Sequence, residues 1–107
     1  MSDEAQAEPR GVLVICNGGF EGMVYELASD ETIIGRNPTT HITLLDENIS
    51  REHAVVFVDR ERGAFSIEDL QSTNGTKVNG KRIRSVDLNP EDEIEIGRTR
   101  FRFEIRN

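Results

Sequence analysis

Arg36, Ser50, Arg51, Thr73 and Asn74 are the residues of this 107-residue chain whose types and grouping suit chemistry. All donate hydrogen bonds, and they fall in or beside two polar stretches, 37–53 and 71–75, rich in hydroxyl and amide side chains. An arginine fork, hydroxyls and backbone amides converging in one place meet the needs of a phosphate dianion, whose oxygens accept several charge-assisted bonds at once. Each residue alone has a plainer reading, Arg36 as a surface charge and Ser50, Thr73 and Asn74 as turn formers. Other chemistries are poorly served. Ser50 and His53 stand three apart, but their neighbours give neither a nucleophile elbow nor an oxyanion glycine pair, so no enzyme is expected. The two histidines, His41 and His53, and the single Cys16 lie far apart in sequence and offer no metal-ligand spacing. The acidic groups Asp3-Glu4, Asp46-Glu47 and Glu91-Asp92-Glu93 read as solvated turns. A GxxxxGK[ST] nucleotide loop is missing. Neither metal nor cofactor is expected.

The elements that must hold the donors are strands. Val (8), Ile (10) and Thr (7) dominate the strand-forming composition, while Leu contributes 6 residues and Trp none. Period-two alternation places short strands at 12–17, 23–28, 31–36, 42–45, 54–59, 64–70, 76–78, 81–83, 93–96 and 99–106. Turn dipeptides separate them: Asn17-Gly18, Arg62-Gly63, Asn74-Gly75, Asn79-Gly80, Asn89-Pro90 and Gly97-Arg98. No apolar spacing sustains a helix, so the fold class is all-β, a sandwich or barrel. Polar loops projecting from one end of such a scaffold are where it would carry function. Residues 1–10 read as a disordered acidic tail and 11–107 as one domain. That tail has Ser2 but no threonine.

The net charge of −7 is uneven, with fourteen acids against five bases in residues 1–70 and six against eight in 71–107. Arg100, Arg102 and Arg106 alternate with Phe101, Phe103 and Ile105 along the last strand and read as a solvated outer face. A nucleic-acid binder needs a larger positive field than this, and stacking aromatics are missing from that face. No run of about 18 to 20 apolar residues is present to span a bilayer. Met1 is followed by SDEAQAEPR rather than by a secretory signal, and one cysteine allows no internal disulfide. A cytoplasmic protein is expected.

From residue 31 onward the order TIIGR, SREHA, IEDLQSTNGTKVNG strongly resembles the forkhead-associated (FHA) domain. The family's Gly-Arg, Ser-x-x-His and Thr-Asn-Gly motifs are met by Gly35-Arg36, Ser50-Arg51-Glu52-His53 and Thr73-Asn74-Gly75, and the resemblance covers about residues 11–106. It implies a β-sandwich of about eleven mostly antiparallel strands that binds phosphothreonine peptides with the loops at one end. It further implies that Arg36 and Ser50 bind phosphate, with the Arg51 amide and the Thr73 hydroxyl, and that Asn74 fixes the peptide main chain just after the phosphothreonine. Gly35, His53 and Gly75 then support the site, the histidine bracing the Ser50 loop from behind. Two positions depart from the family pattern. Pro90-Glu91-Asp92-Glu93 stands where Gly-Asp is usual, and Asn48 is neutral where some relatives carry a basic, specificity-giving residue.

The function that follows is non-catalytic recognition of phosphothreonine in a partner protein, written there by a serine/threonine kinase. The alternative is a phospho-independent docking or oligomerisation sandwich with a degenerate site. Nucleic acid and membrane are not expected as partners, and a monomer is the default.

Overall fold

The computed structural model describes residues 10–106. Their strands are β1 (Arg10–Ile15), β2 (Val24–Glu26), β3 (Glu31–Gly35), β4 (Ile42–Thr43), β5 (Ala54–Asp59), β6 (Ala64–Asp69), β7 (Thr76–Val78), β8 (Lys81–Ile83), β9 (Ser85–Leu88), β10 (Glu93–Ile96) and β11 (Thr99–Arg106), with a short 3-10 turn at Gly18–Phe20. They form two sheets, ordered β2-β1-β11-β10-β7-β8 and β4-β3-β5-β6-β9. Every pairing is antiparallel except β3 with β4. The all-β, mostly antiparallel sandwich expected from the sequence is therefore present.

Alternation dictates the core. Phe101 and Phe103 of β11, Ile94 and Ile96 of β10, Ile34 of β3, Val56 of β5 and Ile67 of β6 are completely buried between the sheets. Phe65 and Phe103 join the two layers, their ring centroids 5.1 Å apart and tilted by 56°. A side chain on Gly11 would collide with the Phe65 ring, which accounts for glycine there. Arg102 and Arg106 take the outer face as expected, and both pair with Glu104, at 2.7 and 2.9 Å, so the stripe is partly neutralised within its own strand.

The structure adds β9 to the ten strands of the pattern reading. Ser85–Leu88 has only two alternating apolar residues, too short a signal on its own, and gains its conformation by lying along β6 with Val86 opposite Ile67 and Leu88 opposite Phe65. β1 starts at Arg10, one residue before the expected domain boundary, because Arg10 still pairs with Arg106. The expected tail otherwise lies outside the described residues. At the β9–β10 turn, Glu91 takes φ +77°, a left-handed conformation usually left to glycine. Asp92 ties the turn down by accepting from the Asn89 amide at 2.8 Å and from the Asn79 side chain at 2.9 Å. Glu91-Asp92 thus fills the place of Gly-Asp at some backbone strain.

Register decides where the polar loops go. Ile34 of β3 pairs with Ala54 of β5, and Ala54 pairs with Asp69 of β6. The end of β3, the start of β5 and the end of β6 therefore share one edge of their sheet. In the other sheet Thr76 of β7 pairs with Ile96 of β10, and Ile15 of β1 pairs with Phe101 of β11, placing the β6–β7, β10–β11 and β1–β2 connections at that same end. All polar stretches singled out in the sequence meet there.

Candidate functional site

Gly35 and Arg36 lead the chain out of β3. An added Cβ on Gly35 would run into the Arg51 carbonyl, so only glycine lets the two loops pass this closely. That approach is fastened by the Arg36 amide donating to the Ser50 carbonyl at 3.0 Å and the Asn37 amide donating to the Arg51 carbonyl at 3.1 Å. The Arg36 side chain is exposed, with its Nε donating to the Ile49 carbonyl at 2.9 Å. This single anchor orients the guanidinium. Its two terminal NH2 groups have no acceptor among the described residues.

His53 is fully buried behind these loops. The Ser50 amide donates to its Nδ1 at 3.1 Å, so that nitrogen carries no proton, and Nε2–H donates to the Gly75 carbonyl at 2.8 Å. One neutral imidazole thereby bolts the loop of Ser50 to the loop of Thr73, Asn74 and Gly75. Two outer contacts repeat the connection: the Thr73 amide donates to Ser50 Oγ at 3.0 Å, and Asn74 Nδ2 donates to the Asn48 carbonyl at 2.8 Å. Gly75 contributes a φ of +89° to the turn.

Two further groups hold the site and were missed in the sequence. Asp69, at the end of β6, accepts from the Ser72 hydroxyl at 2.6 Å, the Thr76 hydroxyl at 2.7 Å and the Ser72 amide at 3.0 Å, and Ser72 Oγ in turn accepts from the Gly75 amide at 2.9 Å. Burial pushes the Asp69 carboxyl up, but the hydrogen bonds from the Ser72 and Thr76 hydroxyls and the Ser72 amide outweigh it and hold it below its ordinary range. A folded-state value below the unfolded one stabilises the fold above the unfolded value, and that stability is lost as pH falls through the folded one. The melting temperature is thus expected to drop as pH falls below about 4, and Asp69→Asn to lower it at neutral pH and flatten that acid limb; thermal melts across pH 2.5–7 check this. Asp46 accepts from the Asn48 and Arg98 amides, at 2.9 and 3.0 Å, tying the Asn48 loop to the β10–β11 turn. It was expected to be merely a solvated turn residue. The only sequence signal for Asp69 was its spacing of three before Ser72.

The result is an exposed patch of donors without acceptors: the Arg36 guanidinium ends, the Arg51 amide, the Thr73 hydroxyl and the Ser50 hydroxyl proton have no acceptor among the described residues. Arg36, Ser50, Arg51, Thr73, Asn74 and Asn48 lie at this surface, with Gly35, His53 and Gly75 buried directly beneath it. His41 lies apart from it, its Nδ1 accepting from the Ile33 amide at 2.9 Å. A cleft of about 620 Å³, lined by Gly11, Leu27, Phe65, Leu88 and Ile105, opens at the opposite end of the sandwich. The donor patch is an open surface of loops, suited to an extended ligand.

Comparison with known proteins agrees with this architecture. The family model of the FHA domain matches residues 32–97, which span all three motifs. The chain belongs to the FHA domain family. It is 36% identical over 102 residues to an oxoglutarate dehydrogenase inhibitor of Corynebacterium diphtheriae, covering 95% of this chain and 70% of that protein. It is 37% identical over 92 residues to the glycogen accumulation regulator GarA of Mycolicibacterium smegmatis, covering 86% of this chain and 57% of GarA. Among solved structures, one from a structural and functional analysis of phosphothreonine-dependent FHA domain interactions superposes with a TM-score of 0.82 at 28% identity, covering 92% of this chain and 98% of that one. EmbR of Mycobacterium tuberculosis in complex with a low-affinity phosphopeptide superposes with a TM-score of 0.81 at 35% identity, covering 91% of this chain and 24% of EmbR. The first of these solved structures concerns phosphothreonine-dependent interactions, and the second holds a phosphopeptide. The named relatives of this chain are regulators and inhibitors. No helix among the described residues is long and apolar enough to cross a membrane.

Proposed function

We propose that Arg36, Ser50, the Arg51 amide and Thr73 hold the phosphate, that Asn74 fixes the peptide main chain beside it, and that Gly35, His53 and Gly75 keep these groups in place. The observation that carries the reading is the set of acceptor-free donors gathered from three loops, two of them bolted together by one buried histidine and the third fastened to them by backbone hydrogen bonds. Such donors are pre-organised for an oxyanion, so little reorganisation opposes binding. Arg36 supplies the charge-assisted fork, while the neutral donors fix the remaining oxygens. Asn74 Nδ2 donates to the Asn48 carbonyl, which leaves the Asn74 side-chain oxygen to accept from the peptide main chain.

The domain, residues 11–107 with Arg10, acts by binding alone, without catalysis or cofactor. It works in the cytoplasm as a monomer on phosphorylated partner proteins, and neither nucleic acid nor membrane is its target. The 1–10 segment carries no threonine and so offers no phosphothreonine to its own site. Screening an oriented phosphothreonine peptide library tests the reading, with enrichment expected over the unphosphorylated library. Because the second phosphate pKa lies near 6, affinity is expected to decline as pH falls through about 6, where the dianion becomes a monoanion. Titrations at pH 5 and 7.5, above the range in which Asp69 protonates, check this separately from unfolding.

A further inference from the structure

A second group of cations borders the cradle, outside the residues assigned to it. Lys77 of β7 lies directly opposite Arg82 of β8, and Arg84 follows β8 at once. Arg82 and Arg84, with Gln71, Ser72, Ile83 and Asp69, line a depression of about 540 Å³ behind the loop of Thr73 and Asn74. The head of Arg82 packs over that loop: a Cβ added to Gly75 would meet its Nε at 2.5 Å. Among the described residues some cations are paired and others are not, these three belonging to the second group with Arg36, Arg51, Lys81, Arg98 and Arg100. Arg10, Arg60, Arg62, Arg102 and Arg106 each have a carboxylate within ion-pair distance. Lys77, Arg82 and Arg84 have none among the described residues, in a chain with a net charge of −7. Glu95 lies across from Lys77 in register, and Asp69, which lines the depression, has its carboxylate taken up by Ser72 and Thr76.

Like charges directly opposite each other on a sheet are unfavourable, and an anion placed between them relieves the repulsion. Edge strands do carry lysine to prevent pairing with other sheets. Lys81 at the β8 edge serves that purpose, and it explains neither the folding of Arg82 onto the recognition loop nor the position of Arg84.

We propose that Arg82 and Arg84, supported by Lys77, form a second anion-binding surface that takes a carboxylate or a second phosphate on the same partner as the phosphothreonine. The inference rests on the phosphothreonine reading of the cradle. It adds a requirement on the partner: a second negative group near the first, so that acidic or multiply phosphorylated segments bind best. Two points of attachment on one chain multiply in affinity through their effective concentration.

The test uses one phosphothreonine peptide with alanine on both sides, and derivatives in which glutamate or phosphoserine is moved through the positions from four before to six after the phosphothreonine. At low ionic strength at least one position is expected to raise affinity about fivefold or more, the gain shrinking with added salt. The double variant Arg82→Ala/Arg84→Ala is expected to lose that gain while binding the all-alanine peptide within twofold of the unmodified domain and melting at nearly the same temperature. Arg82→Glu, which keeps a long side chain over Gly75, is expected to lose it too. A gain from both derivatives assigns the surface to carboxylates in general, and a gain from phosphoserine alone assigns it to multiply phosphorylated partners. Equal affinities throughout the series, or a gain that survives in both variants, would overturn the second site and leave the cradle standing. Failure of every phosphothreonine peptide to bind would overturn both.

Discussion

Replacing Arg36 by alanine is expected to weaken phosphothreonine-peptide binding by about ten- to a hundredfold and to leave the fold intact. The residue is exposed, and its one anchoring bond joins Nε to the Ile49 carbonyl, so its loss costs the folded state about 1 kcal/mol or less. In the complex its terminal NH2 groups face a dianion. A hydrogen bond to a charged partner contributes about 1.5 to 3 kcal/mol, and about 1.4 kcal/mol is tenfold in affinity. Arg36→Lys keeps the charge but loses both the fork and the Nε anchor, and is expected to fall between the two. Calorimetric titration beside a thermal melt separates affinity from stability. An unfolded Arg36→Ala protein, or one that binds normally, would show that the side chain has another role.

His53→Ala is expected to act in the reverse order, on stability first. The substitution empties a completely buried position and strands two backbone groups, the Ser50 amide and the Gly75 carbonyl. Each buried polar group left without a partner costs about 1 to 3 kcal/mol. At about 4 to 8 °C per kcal/mol for a domain of this size, the melting temperature is expected to fall by about 10 °C or more. Binding weakens as a consequence, because the Ser50 and Thr73 loops are no longer bolted together. His53→Asn, whose side-chain oxygen can replace Nδ1 as acceptor for the Ser50 amide but cannot reach Gly75, is expected to recover part of the loss. A thermally silent His53→Ala would place the histidine outside the scaffold.

The contrast between these two residues was legible before any coordinates, because their surroundings in sequence differ. Arg36 stands where an alternating run gives way to a polar loop, whereas His53 leads directly into AVVFV. Most strands were legible for a similar local reason: alternation of Val, Ile and Phe with polar residues, punctuated by Asn-Gly and Gly-Arg turns. What escaped depends on register between distant segments. β9 exists because β6 lies beside it. Asp46 matters because the Arg98 amide, 52 residues away, reaches its carboxylate. Arg82 borders the recognition loop because β8 folds back on β7. The basic character of the last third of the chain was visible, but not which cations were free. Glu104 engages two arginines along β11, whereas Arg82 of β8 and Arg84 beyond it have no carboxylate within ion-pair distance among the described residues.

The most direct measurement compares three peptides of one sequence, carrying phosphothreonine, phosphoserine or unmodified threonine, titrated calorimetrically into the domain at one pH and salt concentration. The phosphate ligands see the same three oxygens in the two phosphopeptides, so only the γ-methyl distinguishes them. Burying that methyl contributes about 0.8 kcal/mol, and the contacts left empty in the serine peptide add a similar amount. The account predicts saturable binding of the phosphothreonine peptide, binding at least several-fold weaker for phosphoserine, and none detectable for unmodified threonine. Equal binding of the modified and unmodified threonine peptides would contradict it, and would make the loop surface a phospho-independent docking site.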